Sequence, residues 1–301
     1  MSLAEALGYR PDEKLLIVNA DDYGMCHAAN EGIAQLLTEG AVSSATVMMP
    51  CGWAKEAADW AAAHPQTDVG VHLTFTSEWA PYKWGPVTRH GSVASLVTQE
   101  GYFPADSASF ERRADPEEVR TEIVSQIELA MRMGVMPTHL DNHMGSLYGL
   151  GTGRDFLGIV FDICAAYGLP FRIPRYVDMG LEVPAEAAKM AGLRAAQADA
   201  KGVVILDYLL GLPFHTEKGE TYESFRGSVM QLLKALKPGV SEFILHPALP
   251  AEELKAINPH WQKREWEFRL FRDPEIKGLL AAEGIRLIGW SELQRLQRAP
   301  R

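Results

Sequence analysis

Residues Lys14–Gly24 read KLLIVNADDYG, which is an apolar run followed by two neighbouring carboxylates and a glycine. A short, almost uninterrupted apolar run is typical of a parallel β-strand that is buried on both faces. A helical pattern follows from about His27 to Thr38, and Gly40 is suited to end that helix. This stretch therefore predicts a β/α unit with a polar turn between its strand and its helix.

The same unit recurs along the chain. Further apolar runs begin near Ser43, Asp68, Pro137, Phe171, Val203, Glu242 and Arg286, and helical patterns separate most of them. Alternating strands and helices imply a parallel sheet with right-handed crossovers. Because polar groups recur at the strand ends, about seven such units favour an irregular, TIM-barrel-like (β/α) barrel over an open sheet. Since no Gly-, Pro- or Ser-rich linker divides the chain, we predict a single α/β domain over residues 1–301.

The alternation is interrupted after the third predicted strand. Between Thr76 and about Asp115 the sequence is rich in aromatic residues and proline, among them Trp79, Tyr82 and Trp84, without clear periodicity. Long irregular segments in compact domains are more often functional than passive. We therefore predict a long aromatic insertion at this point of the barrel.

The composition restricts the class of protein. Of the 301 residues 47% are hydrophobic and 23% charged, as in ordinary globular proteins, and the net charge is −10. An acidic chain argues against a nucleic-acid partner and suits a small neutral or polar substrate. Three widely spaced cysteines predict reduced thiols. With no recognisable signal sequence and no apolar run of about 18 residues, we expect a cytoplasmic protein that does not associate with membranes.

Polar residues with catalytic potential lie at or near the carboxyl ends of four predicted strands. They are Asp21 with Asp22, His72, the cluster His139, Asp141 and His143, and His246. Each has a simpler interpretation by itself, since an aspartate can cap the following helix and a strand histidine can be a hydrogen-bonded core residue. The carboxyl ends of parallel strands converge on one crevice, however, so we expect these side chains to meet there.

The residue types in this crevice suit metal-assisted hydrolysis. Two histidines and one aspartate can bind Zn²⁺ or a similar divalent ion and leave a coordination position for water. The ion would lower the pKa of that water and polarise a carbonyl group. A second carboxylate could accept the proton, and a separate imidazole could protonate the leaving group. We therefore predict hydrolysis of an amide or an ester.

Four motifs together resemble the YdjC-like carbohydrate deacetylases, which are related in site design to the NodB-type polysaccharide deacetylases. The motifs are LIVNADDYG at 16–24, GVHLTFT at 70–76, PTHLDNH at 137–143, and the pair His246-Pro247. They occur in the expected order and extend over most of the chain. The resemblance implies a barrel-like α/β fold and a hydrolase that uses a divalent metal ion, Zn or Mg, to remove the acetyl group from an N-acetylated sugar or oligosaccharide.

The resemblance also implies roles for individual residues. Asp21 is similar to the general base of the family, and His246 is similar to the acid that protonates the departing amine. Asp22 is similar to a metal ligand, completed by His72 and His143. The third ligand is assigned to the histidine that follows the Asp-polar pair.

The same comparison implies further contacts around the metal. His139 becomes a candidate for contact with the substrate or with a ligand, and Asp141 for contact with the substrate or for orienting a ligand imidazole. Trp79, Tyr82 and Trp84 could stack on a sugar ring, or they could bury the insertion against the barrel. The sequence leaves both interpretations open.

Other interpretations of the site also remain. Many relatives continue with further histidines where this chain has Met144-Gly145-Ser146, so the resemblance does not specify the sugar. A sugar isomerase or another metal hydrolase could use a similar barrel, although isomerases of that kind tend to use glutamate ligands. A non-catalytic sugar-binding relative is a third possibility. A homodimer is compatible with the resemblance.

Overall fold

The computed structural model describes residues 1–177 and 185–299. The strands are β1 (Lys14–Tyr23), β2 (Ser44–Val47), β3 (Val69–Leu73), β4 (Leu140–Asn142), β5 (Phe171–Pro174), β6 (Ile205–Leu206), β7 (Tyr208–Leu210), β8 (Gly239–Leu245) and β9 (Ile285–Leu287). The helices are α1 (Leu3–Ala6), α2 (His27–Glu39), α3 (Ala54–Ala63), α4 (Ser107–Arg113), α5 (Pro116–Arg132), α6 (Leu157–Tyr167), α7 (Ala185–Ala200), α8 (Tyr222–Lys234), α9 (Glu252–Ile257), α10 (Trp261–Leu270), α11 (Pro274–Ala282) and α12 (Trp290–Arg298). A short 3₁₀ turn spans His143–Gly145. Within these described ranges, no helix is long and apolar enough to cross a lipid bilayer.

The strands form a nearly closed parallel barrel in the order β6-β5-β4-β3-β2-β1-β8-β7. Strands β6 and β7 follow one another with Asp207 between them, and they pair with β5 and β8 respectively. One extended segment, residues 205–210, therefore joins the two ends of the sheet. Strand β9 pairs with the amino-terminal part of β1. Strand β2 pairs with the carboxyl-terminal part of β1 on the same edge. The predicted (β/α) barrel of about seven parallel strands is confirmed, with β6 and β7 forming one interrupted strand.

The central strand β1 explains why the site lies at one end of the barrel. Leu16 and Val18 of β1 belong to the large core beneath the surrounding helices. Leu15 and Ile17 point the other way, into a smaller apolar cluster that includes Trp290 of α12. Because strand side chains alternate, the residues that continue this inner row towards the carboxyl end are Asn19 and Asp21. The barrel interior is thus apolar at its floor and polar at its carboxyl-terminal end.

The structure differs from the sequence-based expectation in two helices. α4 lies inside the segment expected to be irregular, where the Asp106 side chain accepts a hydrogen bond from Ser109 N and caps its first turn. α7 is rich in alanine, so it lacks the apolar periodicity that identifies a helix. Residues 74–106 connect β3 to α4 without a helix or a strand.

Candidate active site

Both neighbouring carboxylates lie within β1, not in a turn after it as the sequence suggested. Adjacent strand residues normally point to opposite faces. Asp22, however, has a φ of 65°, in the left-handed region that few non-glycine residues adopt. The pairing of β1 with β2 is also irregular at this point. As a result Asp21 and Asp22 line the same pocket.

The pocket lies at the carboxyl ends of the barrel strands and has a volume of about 480 Å³. This size is typical of a site for a small molecule. Asp21, Asp22, His72, His143 and His246 all line it, whereas His139 and Asp141 do not.

Three of these side chains could hold a metal ion. Atoms of Asp22, His72 and His143 that can act as ligands lie within 4.8 Å of one another. Oδ1 of Asp22 is 3.6 Å from Nε2 of His72 and 3.4 Å from Nδ1 of His143, and it is buried without a hydrogen bond from any described residue. Its other oxygen, Oδ2, accepts a hydrogen bond of 2.7 Å from Arg264. An unpaired carboxylate oxygen facing two imidazole nitrogens fits a divalent cation.

Asp141 orients one of the imidazoles and does not line the pocket. Its Oδ1 lies 2.6 Å from Nδ1 of His72, and its Oδ2 contacts both Thr46 and Arg172 at 2.8 Å. A carboxylate on one ring nitrogen fixes the ring and leaves the other nitrogen free for a metal. Asp21, His72 and Asp141 form a second possible ligand group. We favour the Asp22 group, because hydrogen bonds already occupy the carboxylates of Asp21 and Asp141.

The electrostatics of the Asp22 group favour positive charge. Burial opposes ionisation of Asp22, but the guanidinium of Arg264 and the imidazoles of His143 and His246 together outweigh it, so the pKa of the carboxyl lies well below its usual range. Burial also opposes protonation of His143, yet the carboxylates of Glu78 and Asp22 raise its pKa to about 10. The group therefore contains an ionised carboxylate, Asp22, that attracts a cation.

Arg172 of β5 holds the candidate base. Its guanidinium donates two hydrogen bonds to Asp21, at 2.6 and 2.7 Å, and it also contacts Asp141 and Glu242. Burial by itself raises the pKa of Asp21, but Arg172 and nearby imidazoles lower it below its usual range, so Asp21 is ionised at neutral pH. Burial dominates for Glu242 and raises its pKa to about 8.

His246 follows β8 and faces the candidate base. Its Nε2 is 3.9 Å from Oδ2 of Asp21. Its backbone N–H donates to Oε2 of Glu267 at 2.7 Å, and its Nδ1 lies 3.9 Å from the same oxygen. Burial lowers the pKa of His246 to about 4 and raises that of Glu267 to about 7. At pH 7 the imidazole of the free protein is therefore neutral.

Three aromatic residues of the β3–α4 connection, Trp79, Tyr82 and Trp84, have different environments. Trp79 lines the pocket, and the guanidinium carbon of Arg264 lies 5.5 Å from its ring centroid. The Tyr82 hydroxyl donates a hydrogen bond of 2.6 Å to the backbone carbonyl of Met25. Trp84 is 3% exposed, and its indole N–H donates to the backbone carbonyl of Thr76. Tyr82 and Trp84 thus bury the connection against the barrel, and Trp79 remains available to a ligand.

His139 is separated from the other predicted site residues. It is completely buried, and its ring stacks on Trp290 with 4.6 Å between centroids and 6° between planes. Trp290 belongs to the apolar floor of the barrel, and His139 does not line the pocket. His139 lies immediately before β4, so it is deeper in the barrel than the residues at the carboxyl end of that strand.

Several charged residues of the site were not identified from the sequence. Arg172 and Glu242 each interrupt a short apolar strand, and a charge in such a run could have indicated them. Arg264 and Glu267 lie on α10, and Glu78 lies on the irregular connection. In those segments no pattern separates a site residue from an exposed one.

A parallel (β/α) barrel with paired carboxylates and imidazoles at the carboxyl ends of its strands has the architecture of a barrel enzyme. The sequence profile of the family described as YdjC-like protein matches residues 15–282, and the chain belongs to this family.

Two bacterial relatives and one solved structure extend over nearly the whole chain. A carbohydrate deacetylase of Thermus thermophilus is 31% identical over 93% of this chain and 94% of its own length. A carbohydrate deacetylase of Thermoanaerobacter pseudethanolicus is 25% identical over 93% of this chain and 100% of its own length. The crystal structure of a proposed cellobiose-phosphate cleavage protein from Enterococcus faecalis superposes with a TM-score of 0.74 at 27% identity, covering 93% of this chain and 99% of that one.

Proposed function

We propose that this chain is a metal-dependent carbohydrate deacetylase that removes the N-acetyl group from an acetamido sugar or oligosaccharide. The observation that carries the proposal is the buried, unpaired Oδ1 of Asp22 between two imidazole nitrogens. Membership of the YdjC-like family and relatives named carbohydrate deacetylase support the reaction type.

Asp22, His72 and His143 would hold the divalent ion, either Zn or Mg. When bound, such an ion supplies a Lewis acid that polarises the acetamide carbonyl and lowers the pKa of a water molecule. Arg264 and Asp141 would keep the ligands in place, since Arg264 bonds the second oxygen of Asp22 and Asp141 bonds the second nitrogen of His72.

Asp21 would act as the general base and His246 as the general acid. Asp21 is ionised, so it can accept a proton from the attacking water. His246 is neutral before the reaction, and its Nε2 lies 3.9 Å from Asp21. The proton accepted by Asp21 can therefore pass to Nε2, and the resulting imidazolium can protonate the departing amine. Glu267 near Nδ1 would stabilise that imidazolium.

Trp79 is the residue that we propose for stacking on the sugar ring. It lines the pocket, and aromatic faces pack against the apolar faces of sugars. Tyr82, Trp84 and His139 are not included, because each is packed away from the pocket wall.

The test is acetate release by the purified protein. Metal-free protein, prepared with a chelator, is supplied with Zn²⁺, Mg²⁺ or Co²⁺ and incubated with N-acetylglucosamine oligomers and other acetamido sugars. We expect equal amounts of acetate and free amine, lost on chelation and restored by one or more of these ions. Saturable sugar binding without acetate release under all of these conditions would contradict the proposal.

A further inference from the structure

Glu78 contacts one of the two imidazoles of the Asp22 group. Its Oε2 lies 3.0 Å from Nε2 of His143. The other ring nitrogen, Nδ1, faces Oδ1 of Asp22 at 3.4 Å. His143 thus has the same arrangement as His72, with a carboxylate on one nitrogen and Asp22 on the other.

His143 and His72 lie in different backbone elements. His72 lies inside β3, whereas His143 begins the 3₁₀ turn after β4. The next residue, Met144, has a φ of 51° and 43% exposure. The His143 ring is buried and packs edge-to-face on Trp84, with 6.1 Å between the ring centroids. Among described residues, the polar contacts of the His143 ring are with Asp22 and Glu78.

Glu78 itself is held by its neighbour in the β3–α4 connection. Ser77 is completely buried, and its N–H donates to the carbonyl of Pro104 at 2.8 Å. Its hydroxyl oxygen accepts from Trp84 N at 3.1 Å, and its carbonyl accepts from Lys83 Nζ at 2.5 Å. Because these three hydrogen bonds fix Ser77, the backbone position of the next residue, Glu78, is also defined. The connection is therefore built to bring a carboxylate to His143.

We propose that Glu78 is a positioning residue for the metal site. This proposal rests on the proposed function. Glu78 accepts the Nε2 proton of His143, fixes the ring in the Nδ1 lone-pair tautomer and directs that lone pair towards the metal position. A partner of this kind raises the basicity of the ligand, and its loss typically weakens metal binding about 10- to 100-fold. Glu78 needs no contact with the metal or the substrate for this role.

The experiment measures metal affinity directly, without turnover. Dissociation constants for Zn²⁺ and Co²⁺ are determined by competition with a chromophoric chelator for the wild type, Glu78→Ala and Glu78→Gln. Glu100→Ala is the matched control, since Glu100 is exposed on the same connection. The absorption spectrum of the bound Co²⁺ reports the ligand geometry.

We expect Glu78→Ala to bind metal about 10- to 100-fold more weakly and to change the Co²⁺ spectrum. Glu78→Gln keeps a carbonyl oxygen that can accept from Nε2, so its affinity should return close to that of the wild type, as should that of Glu100→Ala. A Glu78→Ala protein with wild-type affinity would overturn the proposal. So would a Glu78→Gln protein as weak as Glu78→Ala, because the charge and not the orientation would then be required.

The same titration separates this proposal from the proposed function. If the wild type binds neither ion, the metal-dependent function fails. If the wild type binds metal and Glu78→Ala binds it equally well, the positioning role alone fails.

Discussion

Replacing Asp21 with asparagine changes the candidate base while keeping its shape. Oδ1 of Asp21 accepts hydrogen bonds from Arg172 at 2.6 Å and from Asn19 at 2.8 Å, and Oδ2 accepts from Arg172 at 2.7 Å. An asparagine can preserve the contacts at one oxygen. Its amide group would present N–H to the N–H of Arg172, so one charge-assisted hydrogen bond is lost.

The expected loss of folding free energy in Asp21→Asn follows from these contacts. Loss of one hydrogen bond to a charged group costs about 1.5–3 kcal/mol of folding free energy. The cost should stay below the 3–5 kcal/mol of a fully broken buried pair, because Arg172 keeps its contacts with Asp141 and Glu242. Loss of a general base lowers kcat about 10²- to 10⁴-fold. We expect the metal dissociation constant to stay close to that of the wild type, since Asp21 is outside the favoured ligand group.

The assay combines acetate release with metal titration of the same preparation. Asp22→Asn is the matched control, because the same substitution one residue further on removes a proposed ligand. Asp21→Asn should keep the metal and lose turnover, and Asp22→Asn should lose both. Turnover above about a tenth of the wild-type rate in metal-loaded Asp21→Asn would refute the base assignment. Such a loss, less than about 10-fold, is smaller than the smallest loss expected on removal of a general base.

Three further predictions concern the acid, a buried carboxyl and the packing of the barrel. His246→Ala should lower kcat for an acetamido sugar about 10²- to 10⁴-fold. The loss of kcat should be smaller for an activated acetate ester, because its leaving group needs no proton. An equal loss for both substrates would argue against His246 as the general acid. Burial raises the Glu242 pKa to about 8, so the wild type loses stability as the pH rises from about 5 towards 8, because the unfolded chain releases this proton at a lower pH than the folded chain. Glu242→Gln lacks the proton, and in urea unfolding it should gain stability relative to the wild type by up to about 1.4 kcal/mol per pH unit. A difference in unfolding free energy that stays constant with pH would contradict the raised pKa. Gly70→Ala should cost about 1–3 kcal/mol in thermal unfolding, because its Cβ would lie 2.6 Å from the His139 ring and 2.7 Å from its carbonyl oxygen. Gly192→Ala, in α7 with nothing within 4 Å of the new Cβ, is the control and should not destabilise the protein.

The fold could be predicted from local patterns because each β/α unit carries its own signals. The apolar run at Lys14 and the stop at Gly40, which has a φ of 65°, identify the first strand and helix correctly. The sequence pattern places the two carboxylates in a turn after the strand, whereas β1 continues to Tyr23. A buried strand end built from polar residues has no apolar signal, so the sequence pattern places its end too early.

The site could be predicted only as far as convergence at the strand ends. That rule brings Asp22, His72 and His143 together because they belong to the carboxyl ends of β1, β3 and β4 or to the turns that follow. It does not separate out His139, which lies just before the start of β4 and near the floor. It also cannot identify Arg264, because the approach of a helix residue to Asp22 depends on packing between elements distant in sequence.

The inner row of β1 suggests that stability and activity depend on different positions of one strand. Collecting ionised groups in a buried pocket is costly even when they are paired. Burial of large apolar side chains at the floor, each contributing about 1.5–3 kcal/mol, opposes that cost. Leu15 and Ile17 therefore hold together a barrel whose next inner residues, Asn19 and Asp21, are selected for chemistry. Substitutions in the lower half should change the free energy of unfolding at unchanged metal affinity, and those in the upper half should change turnover first. A folded Leu15→Ala protein that had lost its metal affinity would contradict this division, because the lower row would then also shape the site.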